Sequence, residues 1–130
     1  MADRHVLVVE DNDKNMKLLR DVLQATGYRT LEATTGEDAV ELALSREPAL
    51  VLMDVQLPGI DGMEALARLR RHERTAAIPV LAVTAQAMSG DRERFLEVGF
   101  DGYLSKPIDV DELIQAVREH CDGRWTARPP

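Results

Sequence analysis

A doubly wound α/β domain built on one parallel sheet is the fold this chain predicts, and three observations predict it. Five short apolar runs alternate with five helix-like segments, no long loop interrupts them, and the central runs read as strands buried on both faces. Right-handed crossovers then put helices on both faces of the sheet and bring every strand's carboxyl end to one edge.

The elements follow in order. His5 to Val9, reading HVLVV, is a buried strand that runs into Glu10-Asp11-Asn12-Asp13. A helix comes next, with Asp13 as its N-cap, Met16, Leu19, Val22 and Leu23 facing inward and Gly27 as its stop. Tyr28 to Ala33 forms the second strand. Thr34 and Thr35 precede Glu37 and Asp38 at capping-box spacing, and Ala39, Val40, Leu42, Ala43 and Leu44 give that helix an apolar side before Pro48 closes it. Ala49 to Met53 is the third strand: its apolar run is too short for a helix, and Pro48 and Pro58 block extension on either side. Asp54 stands at its carboxyl end, and Pro58-Gly59 and Asp61-Gly62 mark a tight loop behind it.

Met63, Leu66, Ala67 and Leu69 make the third helix, whose arginines Arg68, Arg70 and Arg71 read as a solvated face. Pro79 opens a strand over Val80 to Val83 that ends at Thr84. Met88 to Val98 is a helix with a sparse apolar stripe of Met88, Phe95 and Val98, so loose anchoring is expected of it. Tyr103-Leu104-Ser105 is the last strand, ending at Lys106-Pro107, and Asp109 with Glu112 caps a final helix to about Cys121. Residues 1–121 thus form one domain and 122–130 a flexible tail, in which Trp125 either packs back on the body or touches a partner.

Composition narrows the function classes. One domain suits 130 residues with 45% hydrophobic content, burying roughly two thirds of the unfolded surface. Acidic residues outnumber basic ones 23 to 16, for a formal charge of −7, which argues against nucleic acid or an anionic membrane as a partner. No apolar run reaches the roughly 20 residues of a membrane span and no signal-peptide pattern is present, so a cytoplasmic location is expected. The single cysteine, Cys121, excludes an internal disulfide and lies at helical spacing from Val110, Leu113, Ile114 and Val117, as a buried structural thiol would. His5, His72 and His120 lack ligand spacing.

The predicted sheet edge collects Glu10, Asp11, Asp54, Thr84 and Lys106. A lone Asp at a strand end is ordinarily a turn or helix cap, but three carboxylates converging from two strands repel one another unless a cation lies between them. An all-oxygen ligand set without histidine or thiolate favours Mg²⁺, with Mn²⁺ possible, over zinc. With Lys106 as a cationic donor and Thr84 as a hydroxyl, the set suits a phosphoryl group, and Asp54 is the natural nucleophile.

VEDN at 9–12, LMDVQLPGIDG at 52–62, VTA at 83–85 and YLSKP at 103–107 together resemble the receiver domain of two-component response regulators, in family order and spacing over residues 4 to 121. The wording of EDNDKNMKLL and AVTAQAMSGDRER is similar to single-domain cell-division regulators of that family, and receiver domains of hybrid histidine kinases read much the same. The resemblance implies a flavodoxin-like sheet of order 2-1-3-4-5 and an Asp54 that accepts phosphate from the phosphohistidine of a histidine kinase or histidine phosphotransferase. It implies direct Mg²⁺ ligation by Asp11, Asp54 and the Gln56 backbone carbonyl, with Glu10 acting through water and standing where many members have Asp. Lys106 would pair with the acceptor, the Lys106-Pro107 bond would be cis, and Thr84 and Tyr103 would be a switch pair; Tyr103 read alone is equally a strand aromatic with a wet hydroxyl. Ala85 would leave room for the phosphoryl group, and Gln56 and Gln86 would tune hydrolysis. The implied protein is a monomer or weak dimer that signals to a downstream protein target. It is not an enzyme, beyond Mg²⁺-dependent self-phosphorylation and self-dephosphorylation.

Three other readings compete for these residues. A phosphate shuttle or sink would share the chemistry without conformational output. A haloacid dehalogenase-like phosphatase wants a second Asp two residues after the nucleophile, where Gln56 stands. A nucleotide or flavin module wants a phosphate loop after the first strand, where this chain has acids and no GxxxxGK[ST].

Overall fold

The computed structural model describes residues 5–85 and 91–123. Five parallel strands, β1 (His5–Val9), β2 (Arg29–Ala33), β3 (Leu50–Asp54), β4 (Val80–Thr84) and β5 (Gly102–Ser105), form one sheet in the order β2-β1-β3-β4-β5, the flavodoxin-like order. Between them run α1 (Asp13–Ala25), α2 (Gly36–Arg46), α3 (Gly62–Arg71) and α4 (Asp91–Val98), and α5 (Val110–Arg118) closes the series. The expected start of α4 at Met88, together with Gln86 and Trp125, lies outside the described residues. Among the described residues no helix is long and apolar enough to cross a membrane.

Strand side chains alternate between two cores, which is why the strands read as unbroken apolar runs. On one face Leu7, Val9, Val51, Met53 and Ala82 meet Ala39 and Ala43 of α2, Leu66 and Leu69 of α3 and Phe95 of α4. On the other, Val8, Leu50, Leu52, Leu81 and Val83 meet Leu19 and Leu23 of α1 and Leu113 and Val117 of α5. All residues of β3 and β4 are buried, so these two strands form the rigid floor that carries Asp54 and Thr84.

The helix ends follow capping chemistry with one shift. The N-cap of α1 is Asn12 rather than Asp13: Asn12 is extended (φ −93°, ψ 121°) and its side chain accepts from the Asn15 amide, which leaves Asp13 as a first-turn acid. Thr35 accepts from Asp38 at the start of α2, Asp61 from Glu64 at α3 and Asp109 from Glu112 at α5. After α5 the chain widens into a π-helical turn, Glu119–Gly123, in which Cys121 is half-buried against the α1 and α5 core.

One residue of the expected solvated arginine face is a structural clamp. Arg70 donates to the carbonyls of Ala76, Ile78 and Gly99 and to Asp101 Oδ2 at 3.0 Å, and the same carboxylate oxygen accepts from the Val80 amide at 2.8 Å. This ties the end of α4 to the entry of β4, at the edge opposite the acids. Arg68 and Arg71 do face solvent, pairing with Glu64. Arg70→Ala removes a donor from three carbonyls and leaves Asp101 only the Val80 amide, so it is expected to cost roughly 2 kcal/mol of unfolding free energy in urea titration, against about 0.5 kcal/mol for Arg71→Ala.

Candidate functional site

Glu10 and Asp11 follow β1, Asp54 ends β3, Thr84 ends β4 and Lys106 follows β5, so sheet order alone brings them to one edge. Asp54 is held at both carboxylate oxygens: Oδ1 accepts from the Gln56 amide at 3.0 Å and Oδ2 from Lys106 Nζ at 3.1 Å. Lys106 also lies 3.3 Å from Glu10 Oε1, and its own amide donates to the Thr84 carbonyl at 2.8 Å, which fixes where its side chain begins. The Lys106-Pro107 bond is cis, as expected.

Glu10 is the unusual member. Its side chain is 1% exposed, Oε2 accepts from the Asn12 amide at 3.2 Å, and Oε1 has no hydrogen-bond partner despite the nearby ammonium, whose approach is an ion-pair contact rather than an aligned bond. Burial raises its pKa first and the charge of Asp54 second, with Lys106 opposing both. Burial alone would lower the pKa of Lys106, but its hydrogen bond to Asp54 and the charges of Asp54 and Glu10 outweigh that and raise it. One carboxylate oxygen from each of Glu10, Asp11 and Asp54 lies within 4.8 Å of the other two. A buried, orphaned oxygen in an acidic triad short of positive charge is what a divalent cation would complete, so the donor set fits a hard, oxygen-seeking metal.

The remaining expected residues divide. Thr84 is buried at the floor of the site, and Gln56 and Ala85 are exposed at its rim. Tyr103 is half-buried one strand away, paired in register with Ala82, while Thr84 pairs with Ser105. Its ring packs 6.2 Å from that of Phe95 on α4. A groove of about 460 Å³ opens beside it, lined by Leu96, Tyr103, Glu112, Gln115, Glu119 and His120. Gly62, which in the sequence reads only as part of a turn, sits directly behind Asp54: a Cβ there would lie 2.6 Å from the Asp54 carbonyl oxygen. The Asp61–Glu64 spacing signals the cap beside it, but nothing in the sequence signals that approach.

An acid-lined edge with a buried strand-end aspartate, an opposing lysine and a strand-end threonine is the arrangement of a receiver domain, and the chain belongs to that family. The response regulator receiver domain model matches residues 6–118. Among its relatives is the polar-differentiation response regulator DivK of Brucella ovis, 44% identical over 117 residues, covering 90% of this chain and 95% of that protein. Among solved structures, the receiver domain of sensor histidine kinase PA1611 from Pseudomonas aeruginosa, with magnesium coordinated in its active-site cleft, is 35% identical at a TM-score of 0.85 and covers 92% of this chain and 98% of its own. The receiver domain of Saccharomyces cerevisiae Ssk1, crystallised with the histidine phosphotransfer protein Ypd1, is 27% identical at a TM-score of 0.84, with 94% and 91% covered.

The electrostatics give a pH dependence for the metal-free protein. A carboxyl whose pKa is raised by folding holds more protons in the fold than in the unfolded chain, so stability falls as pH rises through the window that opens at its ordinary value of 4.5. In EDTA, Glu10→Gln is therefore expected to unfold at a higher urea midpoint than wild type at pH 7, and to lose that advantage below pH 4.5. Denaturation curves at a series of pH values check both.

Proposed function

We propose that this chain accepts a phosphoryl group on Asp54 from the phosphohistidine of a histidine kinase or histidine phosphotransferase, and signals through phosphorylation-dependent contacts with a protein target. The observation that carries the reading is the Asp54 carboxylate, fixed between the Gln56 amide and the Lys106 ammonium beside two further acids. The N–P bond of the donor breaks, an O–P bond to Asp54 forms, and the released imidazole nitrogen takes up a proton. The Asp54 carboxylate is held in one orientation by the Gln56 amide and Lys106, which suits it to act as the nucleophile. Lys106, already paired with the carboxylate, passes to the oxygens of the incoming phosphoryl group, and the Thr84 hydroxyl moves to donate to another. Asp11, Asp54 and the Gln56 backbone carbonyl would hold Mg²⁺, or Mn²⁺, with Glu10 acting through water. When bound, the ion neutralises phosphoryl charge and relieves the repulsion among the three acids.

Output follows from the difference in contacts between two states. Movement of Thr84 toward the phosphoryl group frees space on the face it shares with Tyr103, and Tyr103 packs on Phe95, the one buried side chain of α4 from residue 93 to 98. The proposed output surface is therefore α4, β5 and α5 around their groove, with the exposed side of α1, Asn15 and Pro107-Ile108 meeting the phosphodonor. The Ssk1–Ypd1 pairing supports a phosphotransferase donor, and the DivK likeness supports a role in cell division. The family's chemistry and the protein's acidic charge support a cytoplasmic monomer or weak dimer that modifies only itself. The likeness to the PA1611 receiver favours a second setting, a receiver module within a longer kinase, with the same chemistry.

Incubation with acetyl phosphate and Mg²⁺ should add one phosphoryl group by intact mass spectrometry. Asp54→Asn should show none, and Lys106→Ala should slow its formation by about 10²-fold. An adduct that survives Asp54→Asn would refute the acceptor assignment. Adding beryllofluoride with Mg²⁺ should shift amide resonances across α4, β5 and α5; shifts confined to the acidic edge would leave a phosphate shuttle or sink as the better account.

A further inference from the structure

The loop that carries Gln56 ends at Gly62 and is met from α2 by Gly36, and both are positions where backbone or side chain has taken the place of a Cβ. At Gly62, the first residue of α3, an ideal Cβ would lie 2.6 Å from the Asp54 carbonyl oxygen and 2.8 Å from Val55 Cα. Both atoms are backbone, so no rotamer change relieves the clash. The Gly62 amide donates to the Val55 carbonyl at 3.0 Å, while the Val55 amide donates to Val83 of β4 at 3.0 Å. The peptide that follows the acceptor is thus clamped between β4 and the first turn of α3, and the Gln56 amide in turn holds Asp54 Oδ1. At Gly36, which opens α2, a Cβ would lie 2.6 Å from Ile60 Cγ1 and 3.0 Å from the Ile60 carbonyl oxygen, in the same loop.

We infer that Gly62 is a positioning residue for the metal-binding and phosphoacceptor loop, with Gly36 as its second support: the missing Cβ at 62 sets where the Asp54–Gln56 backbone lies. The inference rests on the reading of Asp54 as phosphoacceptor and of the Gln56 carbonyl as a metal ligand. Neither glycine touches the ion or the phosphoryl group. Each acts through the loop it supports, and an outer support of this kind governs metal affinity more than it governs folding. The positive-φ glycine of the loop, Gly59, has a different task, since its φ of +75° is needed for the turn itself.

The test compares Gly62→Ala with wild type by three measurements: cooperative unfolding in EDTA, the Mg²⁺ dissociation constant by calorimetry, and the phosphorylation rate from acetyl phosphate at saturating Mg²⁺. The expected result is a folded variant that unfolds cooperatively in EDTA, with Mg²⁺ affinity weakened by about tenfold or more and the phosphorylation rate lowered by about the same factor. A folded variant whose affinity and rate both stay within about twofold of wild type overturns the inference. Should Gly62→Ala fail to fold, Gly36→Ala decides: weaker Mg²⁺ binding, restored when Ile60→Ala removes the side-chain clash, supports the positioning role, and unchanged binding overturns it. The wild-type arm separates the two levels, because a wild type that binds no Mg²⁺ and takes up no phosphoryl group refutes the acceptor reading, whatever the variants do.

Discussion

Two carboxylates buried side by side against a single lysine are the constraint around which this molecule is arranged. Glu10 and Asp54 come from neighbouring strands of a parallel sheet, and Lys106 reaches them from β5 across the end of β4. Burial first, and the neighbouring charge of Asp54 second, push the pKa of Glu10 up, with Lys106 opposing both. One ammonium does not balance two buried carboxylates and the exposed Asp11 beside them. A divalent cation would offset that imbalance, which fits the all-oxygen donor set of Glu10, Asp11 and Asp54.

The imbalance is tolerable because the floor beneath it is rigid. Strands β3 and β4 are buried along their whole length, with helices covering both faces, and the Asp54 side chain is fixed at both oxygens. The far edge is locked as well, by Arg70 and Asp101. Between these fixed parts, α4 is held by Phe95 packing on Phe100 and Tyr103 and by the Gly99 carbonyl at its end. Among residues 93–98 of α4 only Phe95 is buried, so little packing holds that stretch in place.

Much of this was legible in the sequence, for physical reasons. Parallel strands covered on both faces must be continuous apolar runs, and their carboxyl ends must share an edge, so VEDN, MD, VT and SKP could be brought together without coordinates. Of the sparse apolar stripe expected of α4, Phe95 is buried, Val98 is exposed instead of packed, and Met88 lies outside the described residues. Other features were out of reach. Arg70 looked like its neighbours because its partner Asp101 is 31 residues away, and helical periodicity carries no information at that range. Asn12 displaced Asp13 as N-cap because both side chains can accept the same bond, and only the backbone angles separate them. The close approach of Gly62 to Asp54 is a matter of tenths of an ångström between two elements, and PGIDG reads as a turn whether or not that contact exists.

The most direct test of the central claim is the thermal unfolding midpoint of the wild-type protein as a function of Mg²⁺ concentration. If Glu10, Asp11 and Asp54 share a cation, the midpoint rises steadily with the logarithm of Mg²⁺ above its dissociation constant, as binding to the native state alone requires, and Asp11→Asn flattens that rise. A midpoint that does not respond to Mg²⁺, or one that rises equally in Asp11→Asn, would contradict the account.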